Sequence, residues 1–313
     1  SYRMLGLRAE SKYADIIERV LLNSGLSGIS IRGTEYFYTN PLRMVAGARS
    51  YNDHENATET PNREPYLECF CCPPNLVRTI AKSSGWAYSL TDNGVSVNLY
   101  GGNRLDTKLA DGSQLRLKQE TNYPWEGDIT LTIEKCKETP FDILLRIPEW
   151  GAGAQVQING ERASIDVTPG TFARLEQRWL AGDVIRLHRP MEPRLVEGHP
   201  RIEEIRNQVA VCRGPIVYCI ESPDLPEDTS ILDVHLAQNA PLKPVHRPDL
   251  LGGVTVIETQ LHLRKTGGDS MYRKVAEGTK WKVIYANLVP YYAWSNRGTA
   301  EMTVFLPVLW TNA

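Results

Sequence analysis

Ile129-Thr-Leu-Thr-Ile133 puts an apolar side chain at every second position with threonines between, the pattern of a strand with one face on a core and one in water. Working outward, Val95-Ser-Val-Asn-Leu-Tyr100, Leu115-Arg-Leu117 and Ile143-Leu-Leu-Arg-Ile147 repeat with the same period of two. Turn formers at Asp92-Asn-Gly94, Asp111-Gly112 and Asn159-Gly160 separate these runs at the spacing of an antiparallel sandwich. Leu180-Ala-Gly-Asp-Val-Ile-Arg-Leu187 reads as the strand that closes this unit. A second β-rich stretch begins near Met191, with Gln208-Val-Ala-Val-Cys212, Pro215-Ile-Val-Tyr-Cys-Ile220, Val254-Thr-Val-Ile257 and Trp281-Lys-Val-Ile-Tyr285. Residues 222–250, rich in Pro and Asp, read as its long loop. The last alternating run, Glu301-Met-Thr-Val-Phe-Leu306, fits the sheets of either unit.

The front of the chain has a different texture. Tyr13, Ile16, Ile17, Val20 and Leu21 recur at three- and four-residue spacing and predict a helix from Ser11 to Leu22. Gly28-Ile-Ser-Ile31 and Tyr36-Phe-Tyr38 predict a small hairpin closed by Pro41, and residues 44–66 a long surface loop. Asn75-Leu-Val-Arg-Thr-Ile-Ala-Lys-Ser83 predicts a helix entered through Pro73-Pro74 and ended by Gly85.

A chain of 313 residues exceeds what a single core usually holds, so two or three domains are expected. With 42% hydrophobic and 23% charged residues it has the composition of a water-soluble globular chain. A net charge of -2 with scattered Lys and Arg excludes the basic footprint of a nucleic-acid or anionic-membrane binder and suits a neutral partner. No run reaches the ~18 apolar residues of a membrane span. The opening Ser1-Tyr-Arg-Met-Leu5 reads like the middle of a helix, so the true start and any leader are expected upstream. The cysteines form no disulfide pattern, which leans toward a reducing cytoplasm while leaving the location open.

Of six cysteines, three crowd into Glu68-Cys-Phe-Cys-Cys-Pro-Pro-Asn75, just before the expected helix start. A helix N-terminus favours the thiolate, the reactive and metal-binding form of cysteine. Adjacent Cys71 and Cys72 pair poorly as a disulfide, yet both can turn toward one soft ion, of which zinc is the natural choice. Locally Cys69, Glu68 and the more distant His54 are the further donors, without Cys-x-x-Cys spacing, so spacing leaves a metal site and three packed thiols both open. Cys136, Cys212 and Cys219 read as packed thiols in strands. The tryptophans and tyrosines of the β region read as core, Tyr291-Tyr-Ala-Trp-Ser-Asn296 as a packed turn, and the remaining histidines lack ligand spacing. No carboxylate pair can be placed at glycosidase separation.

Four blocks together carry a family resemblance. Glu10-Ser-Lys-Tyr-Ala-Asp-Ile-Ile-Glu-Arg19, Phe37-Tyr-Thr-Asn-Pro-Leu42, Cys69-Phe-Cys-Cys-Pro-Pro-Asn75 with Arg78, and Leu288-Val-Pro-Tyr-Tyr-Ala-Trp-Ser-Asn-Arg-Gly298 run almost end to end. In this order they resemble the back portion of glycoside hydrolase family 127, the β-L-arabinofuranosidases. The resemblance implies a multidomain α plus β chain: the closing helices of an α/α barrel over 1–88, then antiparallel β-sandwich domains over 89–190 and 191–313, the last strand free to return to the first sandwich. It implies a retaining hydrolase in which Cys71 attacks the anomeric carbon, zinc is held by Cys71 and Cys72, and Tyr38 contacts the sugar. A soft thiolate can form and then release a glycosyl bond, which makes that assignment chemically reasonable. The family's other zinc ligands, in a Glu-Thr-Cys motif, and its acid/base glutamate would precede Ser1, and neither Glu68 nor Cys69 matches them. The chain alone is therefore expected to be an inactive part of a glycosidase. The competing expectation is a non-catalytic carbohydrate-binding or assembly module, in which sheet edges could also pair two copies.

Overall fold

The structure is a computed structural model that describes residues 1–45, 62–67, 71–264, 272, 274 and 281–310. Two units emerge: one of Ser1–Leu21 with Val77–Glu192, the other of Leu22–Leu76 with Pro193–Ala313.

In the first unit, α1 (Tyr2–Leu7) leads into α2 (Ser11–Val20). Buried Leu5, Ala14 and Ile17 pack with Tyr13, Leu21, Trp86, Leu99 and Phe172. The expected stripe is narrower than its spacing promised: Ile16 and Val20 are exposed. Two sheets follow. One orders Thr171–Gln177, Phe141–Ile147, Gly94–Val97 and Tyr88–Thr91; the other runs Asn103–Lys108, Gln114–Glu120, Ile129–Lys135, Val184–His188, Gln155–Ile158 and Glu161–Arg162. Val95, Ile143, Leu145 and Leu175 of the first share one buried cluster with Leu115, Leu131, Val156 and Ile185 of the second, around fully buried Trp179. Asn159 and Gly160 both have positive φ, 52° and 89°, as the two-residue hairpin between Gln155–Ile158 and Glu161–Arg162 requires.

The pairing is not wholly antiparallel, because Gly94–Val97 runs parallel to Phe141–Ile147. The chain leaves Val97 for three strands of the other sheet before it returns at Phe141, and period-two patterning carries no strand direction.

In the second unit the strand pairings run continuously. Ile216–Glu221, Lys282–Pro290, Val254–Leu263, Val234–Ala237, Leu306–Leu309 and Gln208–Arg213 are neighbours in turn, and Gln208–Arg213 pairs again with Ile216–Glu221, closing a ring. Its interior includes Val211, Tyr218, Ile220, Leu236, Ile257 and Leu288. The expected long loop over 222–250 contains two strands, Val234–Ala237 and Lys243–Arg247, both paired to Val254–Leu263. Val234-His-Leu236 alternates over only three residues within a Pro- and Asp-rich stretch, and Lys243–Arg247 shows no alternation, while both pair with the long neighbouring strand. The expected closing strand is broken: Met302–Thr303 pairs Ile220 and Glu221, while Leu306–Leu309 lies between Gln208–Arg213 and Val234–Ala237. The Thr303 hydroxyl donates to the Phe305 carbonyl at 2.8 Å across the break. The last strand thus joins the second unit's sheet and not that of the first.

Among the described residues no helix is long and apolar enough to cross a membrane.

Candidate active site

The third helix, α3, spans Cys72–Ser83 and so begins before the proline pair, earlier than the sequence predicted. Proline is tolerated there because the first-turn N–H groups have no partner inside the helix. Cys72 is therefore the first helical residue and Cys71 the residue before it. The Cys71 carbonyl accepts from the Asn75 backbone N–H at 3.3 Å and from Asn75 Nδ2 at 2.8 Å, which fixes the Cys71 backbone to the first turn. Gly28 lies beneath that turn; a Cβ there would stand 3.1 Å from Leu76 Cδ2, so a side chain would press on the start of α3.

Cys71 is exposed and Cys72 half-buried, with their sulfurs 3.5 Å apart. That is too long for a disulfide, which needs about 2.05 Å. Two Zn–S bonds of about 2.3 Å at a tetrahedral angle would hold sulfurs roughly 3.8 Å apart. The pair therefore fits two corners of a zinc site with little movement. Among the described residues no group of three or more His, Cys, Asp and Glu could hold a metal. Glu68, Cys69, His54 and the middle of the expected surface loop, 46–61, lie outside the described residues.

Tyr38 is 45% exposed. It projects from a frame built by residues far apart in sequence. The expected hairpin is reduced to one antiparallel bridge, Ile29 to Tyr36, with Tyr36 bridged in turn to Glu64. Next to Tyr38, buried Phe37 stacks on buried Trp294 at 4.8 Å between ring centroids. Asn40 Oδ1 accepts from the Tyr291 hydroxyl at 3.0 Å and from Trp294 Nε1 at 3.2 Å. Asn296 Oδ1 accepts from the Ile31 N–H at 3.0 Å. The Phe37-to-Leu42 and Leu288-to-Gly298 blocks thus dock on one another, and the aromatic segment is the packed turn expected of it.

Arg63 completes the frame and was invisible in the sequence, where it sits in a polar, irregular stretch. It is 6% exposed, lies 4.2 Å from the Phe37 ring centre, and donates to the carbonyls of Ser27 at 2.8 Å and Trp294 at 2.6 Å. Burial pulls its guanidinium down to about 10, which leaves it charged at neutral pH. Glu221, fully buried, likewise accepts from the Ser295 N–H at 2.8 Å and pairs with Arg297 at 2.7 Å. Truncating Arg63 to Ala leaves the Ser27 carbonyl without its donor and the Trp294 carbonyl with the longer 3.3 Å bond from Asn296 Nδ2, and is expected to cost about 2–4 kcal/mol. Arg63→Lys should recover less than half of that, because an ammonium cannot reproduce the fork. Denaturant unfolding of the three proteins measures both differences, and an Arg63→Ala protein as stable as the parent would refute the role.

A surface thiol pair at a helix start is the equipment of a nucleophile or a metal ligand, and comparison with known proteins identifies the class as glycoside hydrolases. The β-L-arabinofuranosidase family 127 catalytic-domain model matches residues 1–85, the middle-domain model 94–191 and the C-terminal-domain model 193–307. The non-reducing end β-L-arabinofuranosidase of Bifidobacterium longum subsp. longum is 31% identical over 97% of this chain and 46% of its own length. A family 127 β-L-arabinofuranosidase from Geobacillus stearothermophilus T6 superposes with a TM-score of 0.89 at 36% identity, over 98% of this chain and 48% of that one. A solved structure described as a glycoside hydrolase gives the same TM-score at 39% identity, over 98% of this chain and 50% of that one. The chain belongs to glycoside hydrolase family 127. It spans about half the length of these relatives.

Proposed function

We propose that this chain carries the thiolate half of a retaining glycosidase for β-L-arabinofuranosides or related plant-glycan sugars. The observation that carries the reading is the Cys71–Cys72 sulfur pair, 3.5 Å apart at the start of α3. In this reading residues 1–88 are the closing part of an α/α barrel, 89–190 a β-sandwich domain and 191–313 a second β domain. Exposed Cys71 attacks the anomeric carbon while the glycosidic C–O bond breaks, and the leaving oxygen takes a proton from a carboxylic acid ahead of Ser1. Water then releases the sugar from Cys71 with the same anomeric configuration as the substrate. Tyr38 borders the sugar from its rigid frame. Zinc, held by Cys71 and Cys72 together with ligands ahead of Ser1, would keep the thiols ionised and oriented.

The test is an aryl β-L-arabinofuranoside assay and zinc analysis on two proteins, the chain alone and the chain with the sequence that precedes it. The longer protein should bind one zinc and turn over, and the chain alone should do neither. A longer protein that binds arabinose-containing oligosaccharides without zinc and without turnover would instead mark a carbohydrate-binding module.

A further inference from the structure

The solvent face of the first unit's six-stranded sheet has two halves of different character. Along Asn103–Lys108 and Gln114–Glu120 the polar side chains satisfy one another. Arg104 pairs with Glu134 at 2.6 Å, Arg116 with Asp106 at 2.8 Å and Lys118 with Glu120 at 2.6 Å, while Lys135 donates to Gln114 at 2.6 Å. This is an ordinary solvated sheet face.

The other half holds a groove of about 500 Å³, within the size range of ligand sites. Strand register sets Thr130, Arg186 and Gln157 in one row across three strands, and His188 beside Gln155 in the next. Asp128 flanks them and meets His188 Nδ1 at 2.7 Å. Thr130, Gln155, Gln157 and Arg186 make no side-chain hydrogen bond or ion pair among the described residues, in contrast to the paired side chains of the neighbouring half. All four rise from paired strands, so a ligand would meet donors and acceptors already in place.

We propose that this groove binds a polyhydroxylated saccharide segment. Two carboxamides, a hydroxyl and a guanidinium fork offer donors and acceptors side by side, which is the complement of neighbouring sugar hydroxyls. The positive charge of Arg186 is offset by Asp128, so the groove has no strong field to select a polyanion. Among the described residues no Phe, Tyr or Trp lines it, so affinity is expected to be modest, with a dissociation constant on the order of 1 mM. This site owes nothing to Cys71 or Cys72 and needs no turnover.

Calorimetric or NMR titration of the full 313-residue chain with a neutral arabino-oligosaccharide and with a uronate-bearing oligosaccharide tests the proposal. Saturable binding of at least one is expected, weakened about tenfold or more by Gln157→Ala and by Arg186→Ala, and unchanged by Lys118→Ala on the paired half or by Cys71→Ser. A preference for the uronate that disappears in Arg186→Ala assigns the guanidinium to a carboxylate; equal binding of both assigns the groove to hydroxyls. Binding of neither saccharide, or binding that survives both groove substitutions in chains with parental unfolding midpoints, overturns the site. Loss of binding in Cys71→Ser alone would move the ligand to the cysteine pair and overturn it equally.

Discussion

Replacing Arg146 with Met is expected to destabilise the first unit by about 3–5 kcal/mol, the usual result of leaving buried charge unpaired. Arg146 is fully buried and donates to Asp15 Oδ1 and Glu18 Oε1, each at 2.5 Å, from the penultimate position of the strand Phe141–Ile147 to the buried face of α2. Burial alone would lower the pKa of its guanidinium, but Glu18, Tyr123 and Asp15 outweigh that and hold it well above the ordinary arginine value. The side chain is thus charged at every accessible pH. Methionine fills similar volume, so the loss reports two carboxylates stripped of their cation more than a cavity. Arg189 supplies the control. It is equally buried and lies 4.4 Å from the Tyr100 ring centre and 4.5 Å from that of Tyr123, yet its guanidinium nitrogens have no hydrogen-bond partner among the described residues. Cation–π attraction there is set against unsatisfied donors, so Arg189→Met should change stability by about 1 kcal/mol or less. Denaturant unfolding of both variants decides the matter, and equal losses would sink the pairing argument. Partial recovery of Arg146→Met by Asp15→Asn with Glu18→Gln would support it further.

These two arginines also mark where sequence reading stops. Ile143-Leu-Leu-Arg-Ile147 reads as a strand whichever residue its fourth position carries, and the periodicity of α2 places Asp15 and Glu18 on a helix without saying that they turn inward. Their partner is 131 and 128 positions away. Patterning reports which residues alternate, not what they meet. Strands with a clean period, such as Ile129–Lys135, were legible, whereas Val234–Ala237 was not, because its order comes from Val254–Leu263 alongside. At the candidate site, crowding exposed the cysteine pair, and resemblance alone singled out Tyr38. Arg63 had no signal at all: a lone arginine in a polar stretch acquires its role only when Ser27 and Trp294 are brought to it. The proline pair misled on the start of α3, since proline restricts the residue before it yet fits the first helical turn.

In the longer protein, Cys71→Ser is expected to reduce hydrolysis on the order of 10⁴-fold, the scale of losing a nucleophile whose binding site survives. Cys72→Ser should act differently, although the two sulfurs are only 3.5 Å apart. Cys71 is the exposed member of the pair and Cys72 the half-buried one at the first position of α3. If Cys71 makes the bond to sugar and Cys72 only holds metal, adding excess zinc should restore much of the activity of Cys72→Ser and little of Cys71→Ser. Zinc retention should fall in both, by more than the ~10–100-fold typical of outer-shell changes. Mass spectrometry after quenching with substrate should find a glycosyl adduct on Cys71 in the parent and in zinc-loaded Cys72→Ser, and none in Cys71→Ser. Cys69→Ser, to which the family pattern gives no role, should leave all three readouts near parental values. An adduct on Cys72, or full turnover by Cys71→Ser, would exchange or remove the assigned roles. The distinction rests on geometry as well as chemistry, because the Asn75 amide holds the Cys71 carbonyl at 2.8 Å and anchors the Cys71 backbone, that of the proposed nucleophile, to the helix. Asn75→Ala should then lower the rate of adduct formation at Cys71 while zinc retention stays closer to parental than in either cysteine variant.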